Sequence, residues 1–145
     1  MKFAEFHTGQ VIEAGPHIVD EAELVRFASA YDPQWFHTDA QASAKGRFGG
    51  LSASGWHTCG IAMRLAVQAA LGGSEVFASP GLNYLKWPNP VRPGDSLWLR
   101  VTVLETRRSS SQPTMGIMRW RWQLFNADRV EVLDLEATNL FDLAT

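Results

Sequence analysis

The stretch from Gly55 to Leu71 constrains the fold more than any other part of the chain. Trp56, Gly60, Met63, Val67, Ala70 and Leu71 recur at helical spacing, Ile61 and Leu65 make much of the remaining circumference apolar, and Gly72-Gly73 ends the run. A helix that is hydrophobic nearly all round is expected to be largely buried, so something must wrap it. The second half of the chain supplies the wrapping. Leu97, Leu99, Val101 and Val103 alternate with Trp98, Arg100 and Thr102, the period of a half-buried strand, and Met118, Trp120, Trp122 and Leu124 repeat it. Residues 130–141 predict another strand after an Asn126-Ala127-Asp128 hairpin turn, and 82–87 a shorter one closed by Pro88-Asn89-Pro90. Pro93-Gly94-Asp95 reads as a turn. Helices followed by an antiparallel meander describe an α+β domain with one long helix lying across a curved sheet.

At 145 residues, with no repeat or linker, residues 1–145 are expected to form a single domain. Thirteen Lys and Arg against fifteen Asp and Glu, without long blocks of either sign, advertise no polyanion-binding surface, so nucleic acid is not an expected partner. In the run Arg119-Trp120-Arg121-Trp122 the tryptophans face one side of a strand and the arginines the other, a core face and a solvated face. Cys59, the single cysteine, excludes an intramolecular disulfide and is read as a buried helix residue. No run of about 18 apolar residues occurs and the N-terminus lacks a signal-peptide pattern, so the expected location is cytoplasmic, with no membrane partner. His7, His17, His37 and His57 lack zinc-ligand spacing, and no metal is expected.

The first helix is marked by Asp20 as cap, Glu23 answering from the third helical position, and Leu24, Phe27, Ala28 and Tyr31 at helical intervals; Pro33 stops it. The residue before a proline is pushed out of the α region, which sets Asp32 in an extended conformation just past the helix. Thr38 with Gln41 predicts a second capping box, opening a short helix that dies at Gly46. Residues 32–37 are therefore expected to form a bent loop.

That loop packs a carboxylate (Asp32), an amide (Gln34) and an imidazole (His37) between aromatics that include Tyr31, Trp35 and Phe36. Apolar walls desolvate polar groups, raising an acid's pKa and lowering a histidine's, which would bring both toward working pH. The same residues would equally serve as an ordinary capping Asp and a surface His. Ser54-Gly55 opens the apolar helix, where free N–H groups and the helix dipole favour negative charge; Ser54 would also serve as its cap.

Asp32-Pro33-Gln34-Trp35-Phe36-His37-Thr38-Asp39, followed by Phe48-Gly49-Gly50-Leu51-Ser52-Ala53-Ser54-Gly55-Trp56 and by Arg92-Pro93-Gly94-Asp95, resembles the MaoC-like dehydratases, relatives of the (R)-specific enoyl-CoA hydratases. The resemblance implies a hot-dog fold and a hydratase or dehydratase acting on a 2-enoyl thioester. It implies Asp32 and His37 as the acid/base pair and the Gly55 amide, with Ser54 beside it, as the thioester oxygen's binding site. It also implies no cofactor, an acyl-CoA-type substrate, and a homodimer with the acyl tunnel between subunits. Gln34 and Trp35 replace the Asn and Pro of the best-known hydratases; Gln34 would orient the carboxylate or water, and bulky Trp35 would reshape the acyl pocket. Those enzymes also carry a helical hydroxyl about two turns past the glycine, where this chain has Ala62 and Met63. An acyl-CoA thioesterase and a non-catalytic acyl-CoA or lipid-binding module are the alternatives.

Overall fold

The computed structural model describes residues 1–144. Five antiparallel strands form one sheet in the order β1-β3-β4-β5-β2: β1 Val11–Ile18, β2 Val76–Lys86, β3 Ser96–Arg108, β4 Met115–Phe125 and β5 Glu131–Asp142. The predicted alternation holds. Leu97, Leu99, Val101, Val103, Met118, Trp120, Trp122 and Leu124 are all buried on the inner face. The predicted turn joins β4 to β5, with Asn126 Oδ1 accepting from the N–H groups of Asp128 and Val130, both at 3.0 Å. On the solvated face Arg121 donates two hydrogen bonds of 2.9 Å to Asp134, and Tyr84 Oη donates a third at 2.8 Å. The Arg121 guanidinium holds the Asp134 carboxyl below its usual range.

Periodicity did not reveal β1, because Gly15-Pro16 interrupts its pattern. Proline has no N–H for a ladder, yet it is tolerated on an edge strand at a bulge, and the register slips there between Ala14 and His17. Gly15 is required at that bulge: its φ is +120° and a Cβ would lie 2.8 Å from the Leu97 carbonyl oxygen.

Four helices lie between β1 and β2: α1 Glu21–Tyr31, α2 Trp35–Thr38, α3 Ala40–Ala44 and α4 Gly55–Ala66, the last running into a π-helical turn, Val67–Leu71. Asp20 caps α1 as expected, accepting from the Glu23 N–H at 2.7 Å. Other local readings need correction. The second capping residue is Asp39, which accepts from Ala42 N–H, while the Thr38 hydroxyl donates to the Gln34 carbonyl. The expected bent loop over 32–37 does bend, but its second half is wound into the helical turn Trp35–Thr38. Cys59 is half-buried, and burial pushes its thiol pKa up.

The long apolar helix lies against the sheet, as the hot-dog arrangement requires, but only one side of it is covered. Ile61, Ala62, Leu65 and Ala66 are at most 3% exposed, whereas Trp56, Met63 and Val67 are between 43% and 60% exposed. A five-stranded sheet reaches round one flank of a helix and leaves the opposite stripe uncovered. No helix among the described residues is long and apolar enough to cross a membrane.

Candidate active site

The site forms where α1 ends. Asp32 takes φ −152° and ψ 65°, outside the helical region, and its N–H closes α1 on the Ala28 carbonyl at 2.8 Å. The chain then turns at once into α2, which carries His37 inward to 7% exposure. There Nδ1 lies 2.6 Å from the Ser52 carbonyl oxygen. A carbonyl only accepts, so Nδ1 carries the proton. The ring's other nitrogen, Nε2, faces Asp32 Oδ2 at 3.3 Å.

Aromatic neighbours do not raise the Asp32 pKa as expected; it is lowered. Gln34 Nε2 donates to Oδ1 at 2.6 Å and is the main cause; burial opposes it, and the Ser54 hydroxyl and His37 ring add to it. A hydrogen bond to the charged form outweighs partial desolvation here because the carboxylate keeps some contact with water. Asp32 is therefore an anion at neutral pH. Its depressed pKa contributes stability that is present above the ordinary value and is lost as pH falls through the depressed one. Removing the amide by Gln34→Ala is expected to raise the Asp32 pKa, moving the acid limb of any activity profile to higher pH; a pH–rate profile of the two proteins checks it.

Asp32 and His37 line a cavity of about 410 Å³ together with Gly55, Thr58, Trp56 and Trp87. Gly55 is the first residue of α4, so its N–H has no carbonyl within the helix to bond. Trp87 lies directly over it: Nε1 donates to the Gly55 carbonyl at 3.0 Å, and a Cβ on residue 55 would come within 2.5 Å of the indole. Ser54 occupies the cap position, yet its hydroxyl makes no capping bond; it is fully buried, and its influence falls on the Asp32 carboxyl, whose pKa it helps to lower.

Of the six residues singled out, Asp32, His37 and Gly55 line the cavity, Gln34 acts through Asp32, and Ser54 lies just behind. Trp35, expected to reshape an acyl pocket, does not line this cavity. Its ring packs over Gly46, where an added Cβ would meet it at 3.0 Å, and it is 52% exposed. Helical phase explains this, since α2 turns His37 inward and Trp35 outward. Three contributors were missed. Trp87, expected only to end a strand over 82–87, stands one residue past β2 and lines the cavity; the Ser52 carbonyl is backbone, invisible in residue type; Thr58 brings the sole side-chain hydroxyl of α4 to the cavity, nearer Gly55 than Ala62 or Met63 would be. A second hollow of about 560 Å³, beside Trp98, Arg100 and Arg129, has no acid/base pair; its carboxylate, Glu13, is taken up by Arg100 at 3.3 Å.

Residues 3–119 match the family described as "MaoC like domain". The uncharacterized protein YdeM of Bacillus subtilis strain 168 is 32% identical over 140 residues, spanning 97% of this chain and 98% of that protein. The crystal structure of the MaoC-like dehydratase from Rhodospirillum rubrum superposes with a TM-score of 0.88 at 36% identity, covering 96% of this chain and 94% of that one. The (R)-hydratase PhaJ1 from Pseudomonas aeruginosa shares the fold, with a TM-score of 0.75 at 24% identity over 97% of this chain and 84% of that one.

Proposed function

This chain belongs to the MaoC-like dehydratase family, and on that premise we propose that it adds water to, or removes it from, a 2-enoyl thioester, with coenzyme A as the carrier. The observation that carries the reading is the approach of Asp32 Oδ2 to His37 Nε2, 3.3 Å apart, on the wall of a cavity that also holds the first amide of α4.

With Nδ1–H fixed on the Ser52 carbonyl, His37 presents a lone pair at Nε2 beside an ionised carboxylate. Two acceptors facing one space suit one water, with an O–H pointed at each. In the hydration direction Nε2 takes a proton from that water as its oxygen bonds to the β-carbon. The electron pair of the double bond moves to the thioester oxygen, where the Gly55 N–H and the helix dipole stabilise the enolate. Asp32 steadies the imidazolium, which then returns its proton to the α-carbon. Both parts of the water end on the substrate and the enzyme is unchanged, so the reaction calls for no cofactor.

Two surfaces support a homodimer. β2 is an edge strand of eleven residues with Phe77 and Leu82 at 58% and 47% exposure, an edge that invites pairing. The open stripe of α4 and the π-helical turn after it, Trp56, Met63 and Val67, would be covered by the same partner. A second copy would then help enclose the acyl group.

The full chain is tested against trans-2-enoyl-CoAs of graded length. Loss of enoyl absorbance with formation of the 3-hydroxyacyl thioester is the expected result; no turnover at any length overturns the proposal. Release of free coenzyme A from saturated acyl-CoA would assign thioester hydrolysis instead.

A further inference from the structure

Behind the catalytic wall three polar residues meet that the chemistry above leaves unused. Glu23 Oε1 lies 3.0 Å from His17 Nε2 and 3.0 Å from His57 Nε2. A carboxylate only accepts, so both Nε2 atoms donate, and one oxygen bridges two imidazoles from β1 and α4. The side chain exposures of His17, His57 and Glu23 are 15%, 7% and 23%, so the bonds are largely shielded from water. Among the described residues no group of three or more His, Cys, Asp and Glu is arranged to hold a metal ion.

Glu23 was expected to complete a capping box. The Asp20 half of the box forms, but the Glu23 side chain turns away from the cap and crosses to α4. His57 is held there at two places one turn apart on α1: by its edge on Glu23, and by its face on Phe27, with ring centroids 4.8 Å apart and planes 11° from parallel. Its other nitrogen, Nδ1, is buried without a partner, so Glu23 is the polar anchor of that ring. His57 stands in the first turn of α4 with Gly55, and α1 ends on Asp32.

We propose that Glu23 is a positioning residue: by bridging His17 and His57 it locks the first turn of α4 to α1, and so sets where the Gly55 amide stands relative to Asp32 and His37. The inference rests on the enoyl thioester reading for its effect on rate, but not for its effect on Gly55. A misplacement of about 1 Å between groups that must meet one substrate costs on the order of a hundredfold in rate.

The test compares Glu23→Ala and Glu23→Gln in the full chain, reading kcat and KM for crotonyl-CoA and the amide resonance of Gly55 in ¹⁵N-glycine-labelled protein. Glutamine keeps an oxygen that can accept both bonds; alanine keeps none. Glu23→Ala is expected to lower kcat by about tenfold or more, with KM changed by less than about threefold, and to move the Gly55 resonance. Glu23→Gln should return both toward wild type. A Gly55 resonance that stays in place in Glu23→Ala overturns the proposal, as does a glutamine variant no better than alanine. Should the alanine variant fail to fold, Glu23→Asp, which withdraws the acceptor by one methylene, is read in the same way. Wild-type protein that hydrates no enoyl-CoA defeats the functional reading, and the Gly55 resonance still decides the positioning role.

Discussion

Asp32→Asn is expected to lower kcat for enoyl-CoA hydration by about 10²–10⁴-fold, the range over which a positioned acid/base group contributes. The substitution preserves shape. It removes the charge that faces His37 Nε2 at 3.3 Å and would steady the imidazolium, and it makes one of the two acceptors around the proposed water an amide. His37→Ala should lose a similar factor, because it removes the nitrogen whose proton inventory is fixed by the Ser52 carbonyl. The two losses should not add: both groups act on one water, so the double variant should be little worse than either single one. Steady-state kinetics with the three proteins, each checked for an unchanged circular dichroism spectrum, decides the matter. Full activity in either single variant would dismiss the pair as the acid/base centre.

Trp120→Ala should destabilise the fold by about 3–5 kcal/mol, the cost of removing a large aromatic from a packed core. Trp120 is fully buried at the middle of β4, its ring edge-on to Phe6 and Trp122 with centroids 5.8 Å and 5.5 Å away. Its Nε1 donates to Asn139 Oδ1 at 2.8 Å, and Asn139 is itself buried. Alanine therefore opens a cavity and also strands an acceptor, which alone costs about 1–3 kcal/mol. Against a total stability of roughly 5–15 kcal/mol the variant stands near the edge of folding. Its midpoint of thermal unfolding should fall by roughly 10 °C or more. Trp120→Phe, which keeps most of the ring but not the donor, should fall between the two. A shift of a degree or two for Trp120→Ala would mean that the inner face of β4 is not the core it is taken to be.

Much of the site was legible because its elements are local. Asp32 had to leave the helix because Pro33 follows it, and His37 had to come back to it because four intervening residues span one short turn. The family resemblance then attached roles to these positions. What could not be read was direction. The aromatic residues around Asp32 suggested a raised pKa, but the amide two residues along is aimed at Oδ1 and lowers it. Trp35 looked like a pocket residue because it sits inside the motif, but α2 turns it outward over Gly46.

The sequence by itself determined the elements whose signal is periodic or capped: the alternation of β3 and β4, the cap and stop of α1, the apolar run of α4, and the spacing of Asp32 and His37. Tertiary structure alone decided which distant groups they meet. It recruited β1 in spite of Gly15-Pro16, brought the Ser52 carbonyl to His37 across 15 positions, Trp87 to Gly55 across 32, and Glu23 to His57 across 34. The physical reason is one of range. Backbone preference and hydrophobic period act over one or two turns of chain, whereas a hydrogen bond's partner is chosen by packing, which depends on every element at once.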